Sequence, residues 1–497
     1  MKKILNFIVL ALVFALFTVS CELERFPHTD IEQTQAFRNI TDARNFNNGL
    51  YSFLRGRVYG IPMFVTDVQA DQFNATFDFG NRNGSPHRWE DFLAGNYEIR
   101  DIWRNYYSAI ANVNNFLDNA DKVVTQSAAE EAELIRFVGE AHLIRAFYYH
   151  QLVIRWGKPY STATSGSDLG VPLVLTYDVT LRPARATVQA VYTQILDDIT
   201  VAKGLLPTAA ASNPQRAEKF THDAALALEA RVRLHMQDWP GVINAANPLI
   251  TSGRYPLITS GAGLTQMWEN DLGTETIVQL FASSPSELGA SNWIYLGFNP
   301  STNRYAPDFV PQQWVVDMYP VNDIRKDVFL EVKPMTIQGA PYEGVYAFNK
   351  YPGNPTLFTT ASTNYQHKPK VFRIAETYLN LAEAQYYVNE SDARITINAL
   401  RTARGLTALG GDVAGQNLLN EIRAERTREL LGEGFRLNDL MRWGMGVVRQ
   451  PPQNAELVLS GSTYVDLNIP AGHDKFIWGI PTNDLTTNPS MVQNPGW

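Results

Sequence analysis

Leu134, Phe137, Ala141, Ile144 and Tyr148 recur at spacings of three and four. A stripe of this period is one apolar face of a helix, and it has to be buried against another element. Ser127 stands ahead of it as an N-cap, with Glu130 three residues on to complete a capping box. Gly157 and Pro159 stop the helix at about Trp156. Ile102, Tyr106, Ile110, Val113 and Leu117 form a similar stripe just before it. Further helices are predicted over about 34–55, 187–205, 221–236, 240–250, 371–389 and 392–404, the last framed by Ser391 as N-cap and Gly405 as C-cap. They fall into consecutive pairs, as in helical-repeat scaffolds, although no fixed 34-residue period repeats. The fold class expected is mainly α: a tetratricopeptide-like helix-pair scaffold with long irregular loops and a few short strands.

Two stretches have another character. Residues 56–97 and 253–370 are rich in Gly, Pro, Asn and aromatics, with only short strand-like runs such as TIVQLF (276–281). Loops of this length inside a compact domain are usually functional. Residues 31–497 are therefore read as a single domain, a helical scaffold carrying two decorated insertions.

The chain has one cysteine in 497 residues, so no disulfide can form within it and packing must supply its stability. Met1-Lys2-Lys3 followed by an apolar run from Ile4 to Val19 reads as a signal peptide, residues 1–20. The run falls short of the about 20 apolar residues that a spanning helix needs. Cys21 then sits where a bacterial lipoprotein signal places its lipid-modified cysteine; Val19 and Ser20 fit that signal, and Thr18 stands where Leu is usual. Cys21 is the expected lipidation site and residues 21–30 a lipidated tether, the other reading being an ordinary signal followed by a free thiol. Each buried methylene contributes about 0.8 kcal/mol, so two or three acyl chains would hold the protein to a membrane. Glu22 and Glu24 resemble an acidic export signal for the cell surface, or else simply solvate the tether.

A net charge of −8 argues against nucleic acid as a partner. No HExxH, Cys-His or phosphate-cradling glycine pattern occurs, and GNRNG (80–84) reads as a turn. No cofactor is expected: the long loops have room for a calcium ion, but none carries EF-hand spacing. His142 and His150 share a helix and read as packing or surface polarity. Glu425, Glu429 and Glu433 lie among Arg426, Arg428, Arg436 and Arg442, which points to ion pairs and not to a catalytic carboxylate pair. The same pairing is expected for Glu140 with Arg145, and for Arg373 with Glu376 and Glu383. No enzyme active site is predicted; a helical-toroid glycosidase would need a carboxylate pair in the loops.

Four segments together resemble the SusD/RagB family. They are GEAHLIRAFYYHQLVIRWGKPY (139–160), FRIAETYLNLAEA (372–384) with INALRTARG (397–405), IRAERTRELLGEGFRLNDLMRWG (422–444) and the closing WGIPTNDLTTNPSMVQNPGW (478–497). NDIRKD (322–327) fits a weaker element. The chain departs from the family pattern at Trp497 for Tyr, Asp484 for Glu and Gly479 for Pro. The resemblance implies an outer-membrane, cell-surface, lipid-anchored protein of Bacteroidota with four helix pairs of tetratricopeptide type and irregular loops forming the binding face. It implies a carbohydrate-binding role in polysaccharide utilisation: capture of an oligosaccharide or polysaccharide for a SusC-like TonB-dependent transporter. Some branches take peptides, and a non-sugar nutrient remains the alternative.

Sugar binding needs aromatic faces for the pyranose ring and Asp, Asn or Arg for its hydroxyls. The stretch 67–89 interleaves Asp67, Asp71, Asn74 and Arg88 with Phe73, Phe77, Phe79 and Trp89. SNWIYLGFN (291–299) offers Trp293 and Tyr295 at strand spacing, hence on one face, with Trp314 nearby in sequence. Asp67, Asp71, Asn74, Arg88, Trp89, Trp293, Tyr295 and Trp314 are the candidate ligand residues. Trp103 and Trp156 are assigned to the core.

Overall fold

Apolar stripes on the chain's helices come together as stacked pairs. The computed structural model describes residues 37–208, 213–288, 293–360 and 362–497, so Cys21 and the signal and tether segments lie outside the described residues. In chain order the main elements begin with α1 (Ile40–Val58), α2 (Ile61–Gln69), β1 (Phe73–Ala75), α3 (Tyr97–Leu117), α4 (Ala128–Trp156), α5 (Val188–Leu205), α6 (His222–His235) and α7 (Trp239–Thr251). The second insertion holds α8 (Gly261–Glu269), β2 (Thr276–Gln279), β3 (Phe298–Asn299), β4 (Arg304–Tyr305), β5 (Phe309–Pro311), β6 (Leu330–Ile337) and β7 (Ala340–Phe348). Then come β8 (Lys370–Arg373), α9 (Ile374–Tyr386), α10 (Glu390–Ala403), α11 (Gln416–Glu429), α12 (Arg436–Arg442), β9 (Val447–Val448) and β10 (Asn468–Ile469). Among the described residues no helix is long and apolar enough to cross a membrane.

The helix boundaries follow local chemistry. Ser127 Oγ accepts from the Glu130 amide, while the Glu130 carboxylate reaches one residue further back, to the Gln126 amide at 2.7 Å. The cap of α10 is Asn389 and not Ser391: its side chain accepts from the Ser391 amide, and the helix starts two residues earlier than the sequence suggested. Gly405, at φ 80°, ends α10 as expected. Helices α3 and α4, α4 and α5, α6 and α7, and α9 and α10 pack as neighbours, and α9 also lies against α7 and α11. Trp103 and Trp156 meet edge to face inside the first core, beside Trp478.

The two insertions are more ordered than their composition suggested. The stretch 56–97 contains α2, and 253–370 contains α8 and a four-stranded sheet in the order β3-β4-β6-β7. β6 and β7 are joined by a two-residue turn, Gln338-Gly339, with both φ positive, as a tight hairpin requires. β1 pairs with β5, joining the two insertions to each other, and β2 pairs with β8, which leads into α9 of the scaffold. Together they build a second core from Phe64, Phe73, Trp268, Tyr295, Phe309 and Phe348. Each such ring contributes about 1.5–3 kcal/mol when fully buried. That demand consumes many of the aromatics in the insertions.

Ion pairs lock the scaffold to the insertions. Arg404 bridges Glu275 and Glu429, Arg325 bridges Asp323 and Glu429, and Arg373 reaches Glu429 and Glu433. The carboxylates of 425–433 are thus held by cationic partners: Glu425 takes the nearby Arg428 as well as Arg325, whereas the partners of Glu429 and Glu433 are distant in sequence. Glu140 pairs with Arg136 and Asn47, whereas Arg145 pairs with Asp198. Glu376 pairs with Arg231 and Glu383 with Arg442, not with Arg373. Glu140 takes a partner from its own helix, Arg136, while the packing of α4 on α5 and of α6 on α9 sets the partners of Arg145 and Glu376.

Candidate ligand-binding face

The expected ligand residues divide by burial. Asp67 closes the last turn of α2 with no exposure, and its Oδ2 accepts the Gly434 amide at 2.7 Å. Burial pushes its carboxyl up to about 8, against the backbone hydrogen bonds that favour ionisation. Gly434 sits at φ 82°, and its Cα lies so close to Met63 that a side chain there would press on that residue's backbone. Asp71 is buried and forms a two-pronged pair with Arg436, both contacts at 2.7 Å. Asn74 lies in β1 opposite Val310, its side-chain amide enclosed without a hydrogen-bond partner.

Trp89 is an interior residue. Its Nε1–H donates to the Gln69 carbonyl at 2.8 Å, and its ring packs edge-on to Phe476 and His473. Arg88 remains half-buried and donates to Asn81. Trp314 is half-buried as well; its Nε1–H reaches the Asp71 carbonyl at 3.2 Å, and the Arg436 guanidinium lies over its ring. The structure therefore brings Asp71 and Trp314 together, joined by Arg436, which sequence reasoning had placed only in the ion-pair network.

Trp293 and Tyr295 do not share a face. Residues 293–295 form a 3-10 turn, in which side chains two apart diverge by about two-thirds of a turn. Tyr295 is enclosed between Phe73 and Phe348, with ring centroids 4.9 and 4.8 Å away. Trp293 stays half-buried, and the Arg82 guanidinium sits 4.8 Å from its ring centroid. Ser291 and Asn292 lie outside the described residues.

Around Trp293 a different set assembles. Arg82 Nε donates to the buried Asp308 at 2.8 Å and its Nη2 to the Asp78 carbonyl at 3.2 Å. Burial pushes the Asp308 carboxyl up although Arg82 opposes this. The Asp78 carboxylate accepts from Gln338 Nε2 at 2.7 Å and from the Gln338 amide on the β6–β7 turn. Phe77, next along the chain, is 42% exposed, and the Arg82 side chain 44%. The loop behind them carries Asn81, Asn83, Trp89 and Asp91 in left-handed backbone, a cluster of strain held by packing. Phe77, Asp78, Arg82 and Trp293 thus present an aromatic and polar edge to solvent. The composition of 67–89 pointed to this segment, but the Arg82–Asp308 pair spans the two insertions and left no local signal.

A separate groove of about 510 Å³ between the 158–169 connection and the closing block is lined by Met441, Met445, Phe476 and His473. None of the expected ligand residues borders it.

A stacked helix-pair scaffold whose insertions carry the exposed aromatic and polar groups defines a class of binding proteins built on repeat helices. The SusD family profile matches residues 331–497, and a profile described as "Starch-binding associating with outer membrane" matches residues 26–234. The chain belongs to the SusD family. SusD-like protein P25 of Formosa agariphila is 26% identical over 99% of this chain and 98% of its own length. A SusD superfamily protein from Bacteroides thetaiotaomicron has a similar fold, with a TM-score of 0.78 at 23% identity, covering 92% of this chain and all of that one. A SusD-like carbohydrate binding protein from Bacteroides vulgatus superposes with a TM-score of 0.74 at 20% identity, covering 92% and 98%.

Proposed function

We propose that this chain is a carbohydrate-binding lipoprotein of the outer cell surface, anchored through Cys21, that captures oligosaccharides and hands them to a SusC-like TonB-dependent transporter. The observation that carries the binding role is the Phe77–Arg82–Trp293 edge. A pyranose presents an apolar face to an exposed aromatic ring, and its hydroxyls take charge-assisted hydrogen bonds from Arg82 and Asp78. The starch-binding description of the profile over 26–234, which spans Phe77 and Arg82, supports the ligand class and the outer-membrane setting. The role is capture and not turnover: Glu425, Glu429 and Glu433 are each held by arginine or lysine partners.

The test is affinity electrophoresis of the purified protein against a panel of neutral and acidic polysaccharides, followed by calorimetry on any hit. Retardation by one glycan, with no reducing ends released, supports the reading. No retardation by any glycan, with heat on peptide addition, would replace sugar by peptide. Mass spectrometry of the natively expressed protein tests the anchor, which an unacylated Cys21 would remove.

A further inference from the structure

Where α4 crosses α6, beneath the ends of α1 and β8, lies a cavity of about 80 Å³. Its walls carry five cationic side chains, Arg57, Arg155, Arg231, Lys370 and Arg373, and two carboxylates, Glu376 and Glu433. Both carboxylates are already committed. Glu376 takes both prongs of Arg231 at 2.6 Å, and Glu433 takes Lys350 at 2.6 Å together with Arg373. Lys370 is paired with Asp271 at 2.6 Å.

That leaves Arg57 and Arg155. Among the described residues neither forms an ion pair. Arg57 donates to the Asn105 and Phe53 carbonyls. Arg155, 4% exposed, donates to the Pro62 and Gln151 carbonyls and to Gln151 Oε1, and its Nε–H has no acceptor. Next to it His150 is wholly buried with neither ring nitrogen hydrogen-bonded, its ring edge-on to His235 at 5.0 Å. Burial first, then His235, Arg231 and Arg155, hold His150 well below the usual range, so its imidazole is neutral and still offers one N–H. A buried guanidinium without an ion-pair partner is costly, and both carboxylates that line the cavity are taken; Asp67, outside that lining, favours the Arg155 charge but forms no ion pair with it.

We propose that this cavity is a binding site for a small inorganic anion of the halide class, held by the Arg155 and Arg57 guanidiniums with the His150 N–H as a further donor. A single water needs about 10–15 Å³ measured in this way, so the space admits one such ion with a few waters and no sugar ring. The half-buried Gln151, Ile154 and Phe435 on its wall mark the side nearest solvent. The ion would join the α1–α4 bundle to α6, β8 and the turn at 433–435, where scaffold and insertions meet. This site is independent of the glycan face.

The test is thermal unfolding of the purified protein at constant ionic strength, with chloride or bromide exchanged for fluoride, which gives up its hydration shell reluctantly. The expected result is a Tm about 2 °C higher in the heavier halides, absent in Arg155→Met. Crystals grown in bromide should show an anomalous peak beside Arg155 Nε and His150, a measurement on the unaltered protein that stands if Arg155→Met does not fold. Equal Tm values in all salts overturn the proposal, and a bromide peak without a Tm difference means binding at crystal concentration only and overturns it too. A Tm difference that survives in Arg155→Met places the ion elsewhere and is likewise fatal.

Discussion

Arg404 and Glu429 meet through two hydrogen bonds of 2.9 and 3.0 Å, and neither side chain reaches solvent. Glu429 also receives Arg373 and Arg325, each at 3.0 Å, so one carboxylate answers three guanidiniums that come from β8, the C-cap of α10 and the segment before β6. Removing Glu429 leaves three buried guanidiniums each short of one counter-charge, with Glu275 left to Arg404, Asp323 to Arg325 and Glu433 to Arg373, at a cost of about 3–5 kcal/mol. Glu429→Gln is expected to lower the unfolding free energy by an amount of that size, read as a lower urea midpoint with an unchanged slope. A loss below about 1 kcal/mol would mean that the arginines find other acceptors and that the network is not what fastens the insertions.

The same group sets the acid limit of stability. Burial disfavours ionised Glu383, Glu425, Glu429, Glu433 and Asp439, but the arginines around them prevail and hold all five below their ordinary values. A carboxylate depressed in the fold adds stability that is full above its unfolded pKa and is lost as pH falls through the folded one. Their contribution to the unfolding free energy should therefore be level near neutrality and fall steeply below about pH 4, where protons enter the unfolded chain first. Urea titrations at pH 7, 5, 4 and 3 check this; a midpoint that does not move between pH 5 and 3 would contradict it.

Asp67 has the opposite sign. Its ordinary value is 3.8 and burial lifts it to about 8, so the unfolded chain ionises first as pH rises and stability falls across that window. Asp67→Asn keeps an oxygen for the Gly434 amide and abolishes the ionisation. The variant should match the parent near pH 4 and exceed it increasingly up to about pH 8. Urea midpoints for both proteins at pH 4.5, 6 and 8 measure the divergence, and a constant offset would assign Asp67 to packing alone.

The helices were legible because their signals are local. The stripe from Leu134 to Tyr148 and the stop at Gly157 gave α4 its correct end at Trp156. What the sequence could not show was the use of distant partners. Arg82 meets Asp308 across 226 residues, and Asp71 meets Arg436 across 365. Aromatic enrichment in the insertions was visible, but a ring that packs and a ring that binds look alike until the second core is built. Tyr295 went into that core, Trp89 into a separate cluster with Phe476, and Trp293 stayed at the second core's edge, set apart from Tyr295 by a 3-10 turn of three residues.

That distinction separates two tryptophans by experiment. Trp89 fills an enclosed position against Phe476 and holds the Gln69 carbonyl, so Trp89→Ala should cost about 3–5 kcal/mol of stability. Whatever glycan the protein binds, the folded fraction of Trp89→Ala should retain most of its affinity. Trp293 is half-buried with Arg82 against its ring, and its loss opens no comparable void. Trp293→Ala should cost about 1 kcal/mol of stability and weaken glycan binding about tenfold, the equivalent of roughly 1.4 kcal/mol. Calorimetry at a temperature where both variants are folded, run beside urea denaturation, reads the two effects separately. The reverse pattern, with affinity lost in Trp89→Ala and kept in Trp293→Ala, would move the binding face away from the Phe77–Arg82 edge and towards the groove lined by His473 and Phe476.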